Sequence, residues 1–200
     1  MDAFTPTTIA ALVIAASFAA GLNVYATLLT LGLLARAHWI VLPVGLDMLS
    51  HWWVIGVSGG MFAIEFVADK IPAFDMVWNA LHTFVRVPVA ALLAYHASEQ
   101  LSPEMQILAA VAGAGIAIVA HGSKTAVRAA VTPSPEPFSN IALSTGEDVL
   151  AVGVTWLATK HPLIAAGVAC AFLLLAVITV RLLAKFIRRM WTKPRPANAQ

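Results

Sequence analysis

Long apolar runs, each broken by a few polar residues, fill this chain almost from end to end. Six segments stand out, at about 7–36, 50–70, 76–97, 103–130, 144–160 and 162–186. A helix rising about 1.5 Å per residue needs about 20 residues to cross the hydrocarbon core of a bilayer. The first and fourth segments exceed that and must tilt, break or project. The second and fifth are short or interrupted. The pattern predicts an all-α polytopic membrane protein with about six transmembrane helices, occupying residues 1–186 as a single domain.

Two long segments carry candidate breaks. "GLN" (Gly21 to Asn23) interrupts the first, and "HGSK" (His121 to Lys124) the fourth. Glycine lowers helix propensity by about 1 kcal/mol relative to alanine. The polar groups beside it should face protein or water, because lipid offers them no partner. The segments also fall into two halves, 7–97 and 103–186. Each reads as a long broken helix, a short helix and a third helix. "DKIP" (Asp69 to Pro72) ends the short helix of the first half and "TKHP" (Thr159 to Pro162) that of the second. Three crossings per half place the halves in opposite senses, so two inverted three-helix repeats with broken first helices are expected.

Composition agrees with lipid as the main solvent. Hydrophobic residues make up 60% of the 200 positions and charged residues 11%, with a mean hydropathy of +0.84. Soluble domains carry about a quarter charged residues. The net charge is +2, but Arg181, Lys185, Arg188, Arg189, Lys193 and Arg195 crowd the C-terminal end. A basic tail, 187–200, after a long apolar run marks the cytoplasmic side. With six crossings both termini lie there, in a bacterial inner membrane. No aromatic platform accompanies the basic residues, so no nucleic-acid partner is expected. "MDAFTPTTIAALVIAASFAA" lacks the basic start of a signal peptide and reads as a helix capped by Thr5 or Thr7, with Pro6 in its first turn. A single cysteine, Cys170, excludes an intrachain disulfide and a cysteine metal site.

The charges inside the apolar segments are the candidate chemistry. Glu65 and Asp69, four apart, share a helix face, and a buried carboxylate must pair with a cation or keep its proton. They are candidates for a proton or cation site, or for a structural pair with Lys70 or Arg86. His82 and Arg86 share a face of the third segment. Arg86 sits deep in an apolar run and stays charged, so it needs a partner, and Glu65 is the first to name. His121, Lys124 and Arg128 form a basic stripe that suits a phosphate or carboxylate, or else reaches cytoplasmic water by snorkelling. "TPSPEPFSN" (Thr132 to Asn140) is expected to be a stiff extended loop, as a lid, a pore lining or a connector. "STGED" then opens the fifth helix. Ser144 and Glu147 have capping-box spacing, which leaves Asp148 as the less explained and better functional candidate. Gly56 and Gly60 form a GxxxG that serves packing within the chain or a homo-oligomer.

The stretches "AAGLNVYATLLTLGLLAR", "EFVADKIPAFDMVWNALHTFVRVPVAALLA" and "AHGSKTAVRAAVTPSPEPFSNIALSTGEDVLAVGVTWLA" together resemble a bacterial membrane family known as domain of unknown function 4126. The resemblance spans residues of about 15–160 and rests on polar motifs as well as hydropathy. It implies no activity and transfers no catalytic or binding residue.

No HExxH, P-loop, nucleophile elbow or dinucleotide fingerprint occurs. No enzyme activity, metal or cofactor is therefore expected. The leading expectation is a small transporter or channel-like permease for a small polar or anionic solute or a lipid head group. Asn23, Glu65, Asp69, Arg86, His121, Lys124, Arg128 and Asp148 are its pathway candidates, with Glu65 and Asp69 handling a coupling proton or cation. The alternative is a non-catalytic structural or assembly protein of a membrane complex. A lipid-phosphate enzyme is a third, weaker reading. The bilayer itself is the one partner the composition demands.

Overall fold

A computed structural model describes residues 4–131 and 137–191. The described residues form seven α-helices and one 3-10 helix, with no strand. The helices are α1 (Pro6–Leu22), α2 (Val24–Arg36), α3 (Trp52–Ala68), α4 (Pro72–Ala97), α5 (Pro103–Val131), α6 (Pro137–Lys160) and α7 (Pro162–Trp191), and the 3-10 helix is Val44–Ser50. Five of them open on proline. Proline fits a first helical position, where its missing N–H is not needed and its φ is already helical. Thr5 caps α1, accepting from Thr8 N–H at 3.2 Å.

α1 is the hub of the bundle. It packs against α4, α5, α6 and α7, and from Ala15 to Leu22 every residue is buried. Large apolar side chains elsewhere point outward, Phe84, Ile107 and Leu174 among them. That inside-out pattern suits a lipid surround, since in lipid an exposed leucine costs nothing. Four helices are long and apolar enough to cross a membrane, those containing Val77–Ala97, Pro103–Arg128, Ile141–Lys160 and Pro162–Phe186. The Val44–Ser50 and Trp52–Ala68 pair, bent by 68°, makes a fifth if it is one broken span. The protein is thus a polytopic helical membrane protein.

The break at Asn23 forms as expected. Asn23 takes extended backbone (φ −148°, ψ 103°), and its side-chain oxygen accepts from Ala26 N–H at 2.9 Å, capping α2. Gly21 has a different role from the breaker expected of it. A Cβ there would stand 2.8 Å from Ala120 Cβ and 2.9 Å from the Ala117 backbone. Its missing side chain lets α1 lie directly on α5.

Three local expectations are corrected. α5 runs unbroken through "HGSK", so the fourth segment has no broken first helix. Gly122 meets nothing that a Cβ would touch, and the helix simply continues past it. α6 begins at Pro137, not at Ser144. The third of the alternating prolines opens the helix, so only 132–136 of the expected stiff loop falls outside the described residues. Ser144 and Glu147 therefore lie inside α6 and cap nothing. α7 also continues past 186 to Trp191, while Lys193 and Arg195 lie outside the described residues. Cys170 is exposed and unpaired. Gly56 and Gly60 have open space where a Cβ would go, so neither serves packing within the chain.

Candidate functional site

Four helices and the break between α1 and α2 turn polar groups toward one place. α3 contributes Glu65, and Asp69 follows at its C-terminal cap. α4 contributes Asn79, His82 and Arg86, and α5 contributes His121, Lys124 and Arg128. α6 contributes Ser144, Glu147 and Asp148, and the break between α1 and α2 contributes Asn23. Spacings of three and four put each set on one helix face. All are buried except Glu147, which is half-buried. The structure thus brings together every site residue expected from the sequence.

Arg86 and Glu65 form a fully buried ion pair through Nη2 and Oε1. The other terminal nitrogen, Nη1, donates to Asn79 Oδ1 at 3.0 Å and lies 2.7 Å from His121 Nδ1. Arginine has no acceptor, so His121 Nδ1 must accept and is unprotonated. The proton is then on Nε2, which stands 3.1 Å from the Asn79 carbonyl and 2.8 Å from Thr83 Oγ1. His82 has the opposite tautomer. Its Nδ1 donates to the Trp78 carbonyl at 2.8 Å, and Nε2 accepts from the Tyr25 hydroxyl at 3.1 Å.

Further charges are bound together around Lys124. Its Nζ lies 3.3 Å from Asp69 Oδ2, 3.1 Å from Glu147 Oε2 and 4.0 Å from Glu65 Oε1. Arg128 pairs with the same Asp69 oxygen at 3.0 Å and with Glu147. Ser144 Oγ donates to that oxygen too, at 3.5 Å. Burial works against a charge on Asp69, yet Lys124 and Arg128 outweigh it and hold the carboxyl below its ordinary value. Lys70 makes no ion pair in this network among the described residues, though it acts on Asp148 and Asp69 through space. Its Nζ donates to the Phe66 carbonyl at 2.8 Å and sits over the Phe66 ring.

The break at Asn23 is wired into the cluster on both sides. Lys124 Nζ donates to the Leu22 carbonyl at 3.2 Å, satisfying an acceptor at the end of α1. Asn23 Nδ2 donates to Asp148 Oδ1 at 2.8 Å. The broken helix therefore offers its negative end to a cation and places a carboxyl beside the positive start of α2.

Among the described residues the cluster has four acids, Glu65, Asp69, Glu147 and Asp148, and three fixed cations, Arg86, Lys124 and Arg128. The basic stripe on α5 is consequently neutralised by protein carboxylates and is not a vacant anion site. Three buried carboxylate oxygens, Glu65 Oε2, Asp69 Oδ1 and Asp148 Oδ2, have no hydrogen-bond partner among the described residues. Among these residues, too, no His, Cys, Asp and Glu set has metal-binding geometry. A cavity of about 140 Å³ touches the cluster, lined by Phe18, Leu22, Ala120, Lys124, Glu147 and Phe172 among others.

A family model, domain of unknown function DUF4126, matches residues 10–182. The chain belongs to this family. The match spans every residue of the cluster. No curated protein and no solved structure matches the chain.

Sequence reasoning missed Asn79, Tyr25 and Thr83, and it assigned Glu147 to capping. Asn79 was findable. It stands three and seven residues before His82 and Arg86, on the same helix face.

Proposed function

We propose that this chain is a small permease whose solute path runs through the charged cluster at the α1–α2 break. The observation that carries the reading is the cluster's charge inventory. Seven charged side chains converge inside an apolar bundle. Among the described residues the acids outnumber the cations ion-paired with them by one, and three carboxylate oxygens are left unpartnered. A bundle that needed only to stand would have no use for so costly a centre. The surplus of acid favours a small polar or cationic solute. An anionic solute or a lipid phosphate loses its support, since Lys124 and Arg128 are already matched by Asp69 and Glu147.

In this reading α1 with α2, and the bent Val44–Ser50 and α3 pair, complete six crossings. α1 to α4 oppose α5 to α7 as inverted halves, both termini are cytoplasmic, and the membrane is a bacterial inner membrane. The open edge at Gly56 and Gly60 is where a second copy packs.

A non-catalytic structural or assembly role is the second reading. The dense ion pairing and the small cavity beside Lys124 favour it. Purified protein in proteoliposomes, assayed across a panel of cations, polar metabolites and phospholipid reporters, separates the two. Transport predicts wild-type flux that vanishes in folded Glu65→Gln and Arg86→Ala variants. Absence of flux for every solute, with variants that merely lose stability, supports the structural role.

A further inference from the structure

We propose that Asp148 is a proton-binding site, a carboxyl that takes up and releases one proton at the break between α1 and α2. The inference rests on the cluster's geometry, not on transport, and holds whether the cluster passes a solute or only scaffolds the bundle.

Each other acid of the cluster touches a cation. Glu65 has Arg86, Asp69 has Lys124 and Arg128, and Glu147 has the same two. Among the described residues Asp148 has none within ion-pair distance. It is buried, its Oδ1 accepts one hydrogen bond from a neutral amide, Asn23 Nδ2 at 2.8 Å, and its Oδ2 has no partner there. A buried carboxylate in such a setting either binds a proton or carries an uncompensated charge. The ion pairing leaves the same remainder. The three cations that form ion pairs here are taken by Glu65, Asp69 and Glu147, and Lys70, which acts on Asp148 through space, makes no ion pair with it among the described residues.

The groups facing Asp148 come from every neighbouring element. Asn23 comes from the α1–α2 break, Glu65 and Asp69 from α3 and its cap, Lys70 from just beyond, and Lys124 from α5. Glu147 and Ser144 lie on its own helix. Both histidines of the cluster are bound elsewhere, His121 to Arg86 and His82 to Tyr25. A metal cation in place of the proton is disfavoured, because among the described residues Asp148 belongs to no group of three or more His, Cys, Asp and Glu side chains that could hold one. Gaining the proton forms an O–H bond on Asp148 and removes one negative charge beside Asn23, whose backbone holds the two helix ends apart. Protonation thus bears directly on the break.

Infrared spectroscopy of the full-length protein in nanodiscs, titrated from neutral to alkaline pH, tests this. The expected result is one protonated-carboxyl band at neutral pH that bleaches on alkalinisation, is lost in Asp148→Asn and persists in Glu65→Gln and Asp69→Asn. Absence of the band in wild type overturns the proposal. So does a band that survives Asp148→Asn and is lost in either other variant, or a sodium-dependent gain in thermal stability that Asp148→Asn abolishes. Should Asp148→Asn fail to fold, wild-type protein with ¹³C-carboxyl aspartate gives the answer without a variant. The resonance close to the Asn23 amide must have the shift of a carboxylic acid, and a carboxylate shift there overturns the proposal equally.

Discussion

Arg86 Nη1 and His121 Nδ1 stand 2.7 Å apart, and only the imidazole nitrogen is able to accept. The guanidinium fixes the imidazole: Nδ1 accepts, and the ring proton belongs to Nε2. ¹⁵N spectra of histidine-labelled protein should therefore show His121 as the neutral Nε2–H tautomer and His82 as the Nδ1–H tautomer. Arg86→Gln removes the obligate donor, since a glutamine amide is able to present either its oxygen or its nitrogen. The His121 signals should then split or shift between tautomers while those of His82 stay in place.

The Glu65–Arg86 pair has both members completely buried, so removing one leaves the other without its close partner, Glu65 keeping only Lys124 at 4.0 Å. Breaking such a pair typically costs about 3–5 kcal/mol. Glu65→Gln and Arg86→Gln should each lower unfolding stability on that scale. The double variant should lose clearly less than the sum, because neither charge is left alone. Thermal unfolding of the three variants in nanodiscs measures the coupling. Additive losses would mean that the two side chains act separately.

Asp69 makes stability depend on pH in a known direction. Its folded-state carboxyl titrates below the ordinary aspartate value of about 3.9. A depressed value means the folded state binds the proton less well than the unfolded chain. The contribution is thus present above the unfolded value and is lost as pH falls through the folded one. Wild-type melting temperature should drop on acidification in that range, and Asp69→Asn should flatten this part of the profile. An unchanged slope in Asp69→Asn would assign the acid sensitivity to another carboxyl.

Gly21 and Gly56 look alike in sequence, each a glycine in an apolar helix, but their surroundings differ. A methyl group at Gly21 would press on Ala120 and on the Ala117 backbone, which cannot retreat. Overpacking of this kind costs about 1–3 kcal/mol. A Cβ at Gly56 meets nothing, and alanine is the better helix former by about 1 kcal/mol. Gly21→Ala should lower the melting temperature and Gly56→Ala should hold or raise it. A Gly56→Leu change that leaves the monomer folded but dissolves an oligomer in crosslinking would place the second copy on α3.

The amino-acid sequence reveals one part of this site and conceals another, for specific reasons. An arginine deep in an apolar helix must find a carboxylate, and Glu65 is the deepest one available, so that pair can be named from sequence. The break at Asn23 is also readable, because asparagine both leaves the helix and caps the next one. "HGSK" carries the same local signal and breaks nothing. His121 and Lys124 are polar because that side of α5 faces the cluster, and composition does not distinguish an inward face from an interruption. "STGED" misleads for a related reason. The spacing of three between Ser144 and Glu147 marks a capping box and equally marks one face of a continuing helix. Only the position of the helix start, at Pro137, decides between them.

Asn23 does two jobs with one side chain, and a single substitution separates them. Its oxygen caps α2 at Ala26 N–H and its amide nitrogen reaches Asp148. Asn23→Ala loses both, and a lost cap alone costs about 1 kcal/mol. Asn23→Asp keeps an oxygen for the cap but sets a second carboxyl against Asp148 within hydrogen-bond distance. Two such carboxyls are tolerated while one proton is shared between them and repel once both are ionised. The Asn23→Asp protein should approach wild-type stability at mildly acidic pH and fall away from it as pH rises, the opposite slope to that contributed by Asp69. Adding Asp148→Asn should restore a flat profile, since the carboxyl and amide are then merely exchanged across the same hydrogen bond. Melting curves of the single and double variants across pH check this. If Asn23→Asp is destabilised equally at every pH, the contact between α2 and α6 at this point is one of packing and not of charge.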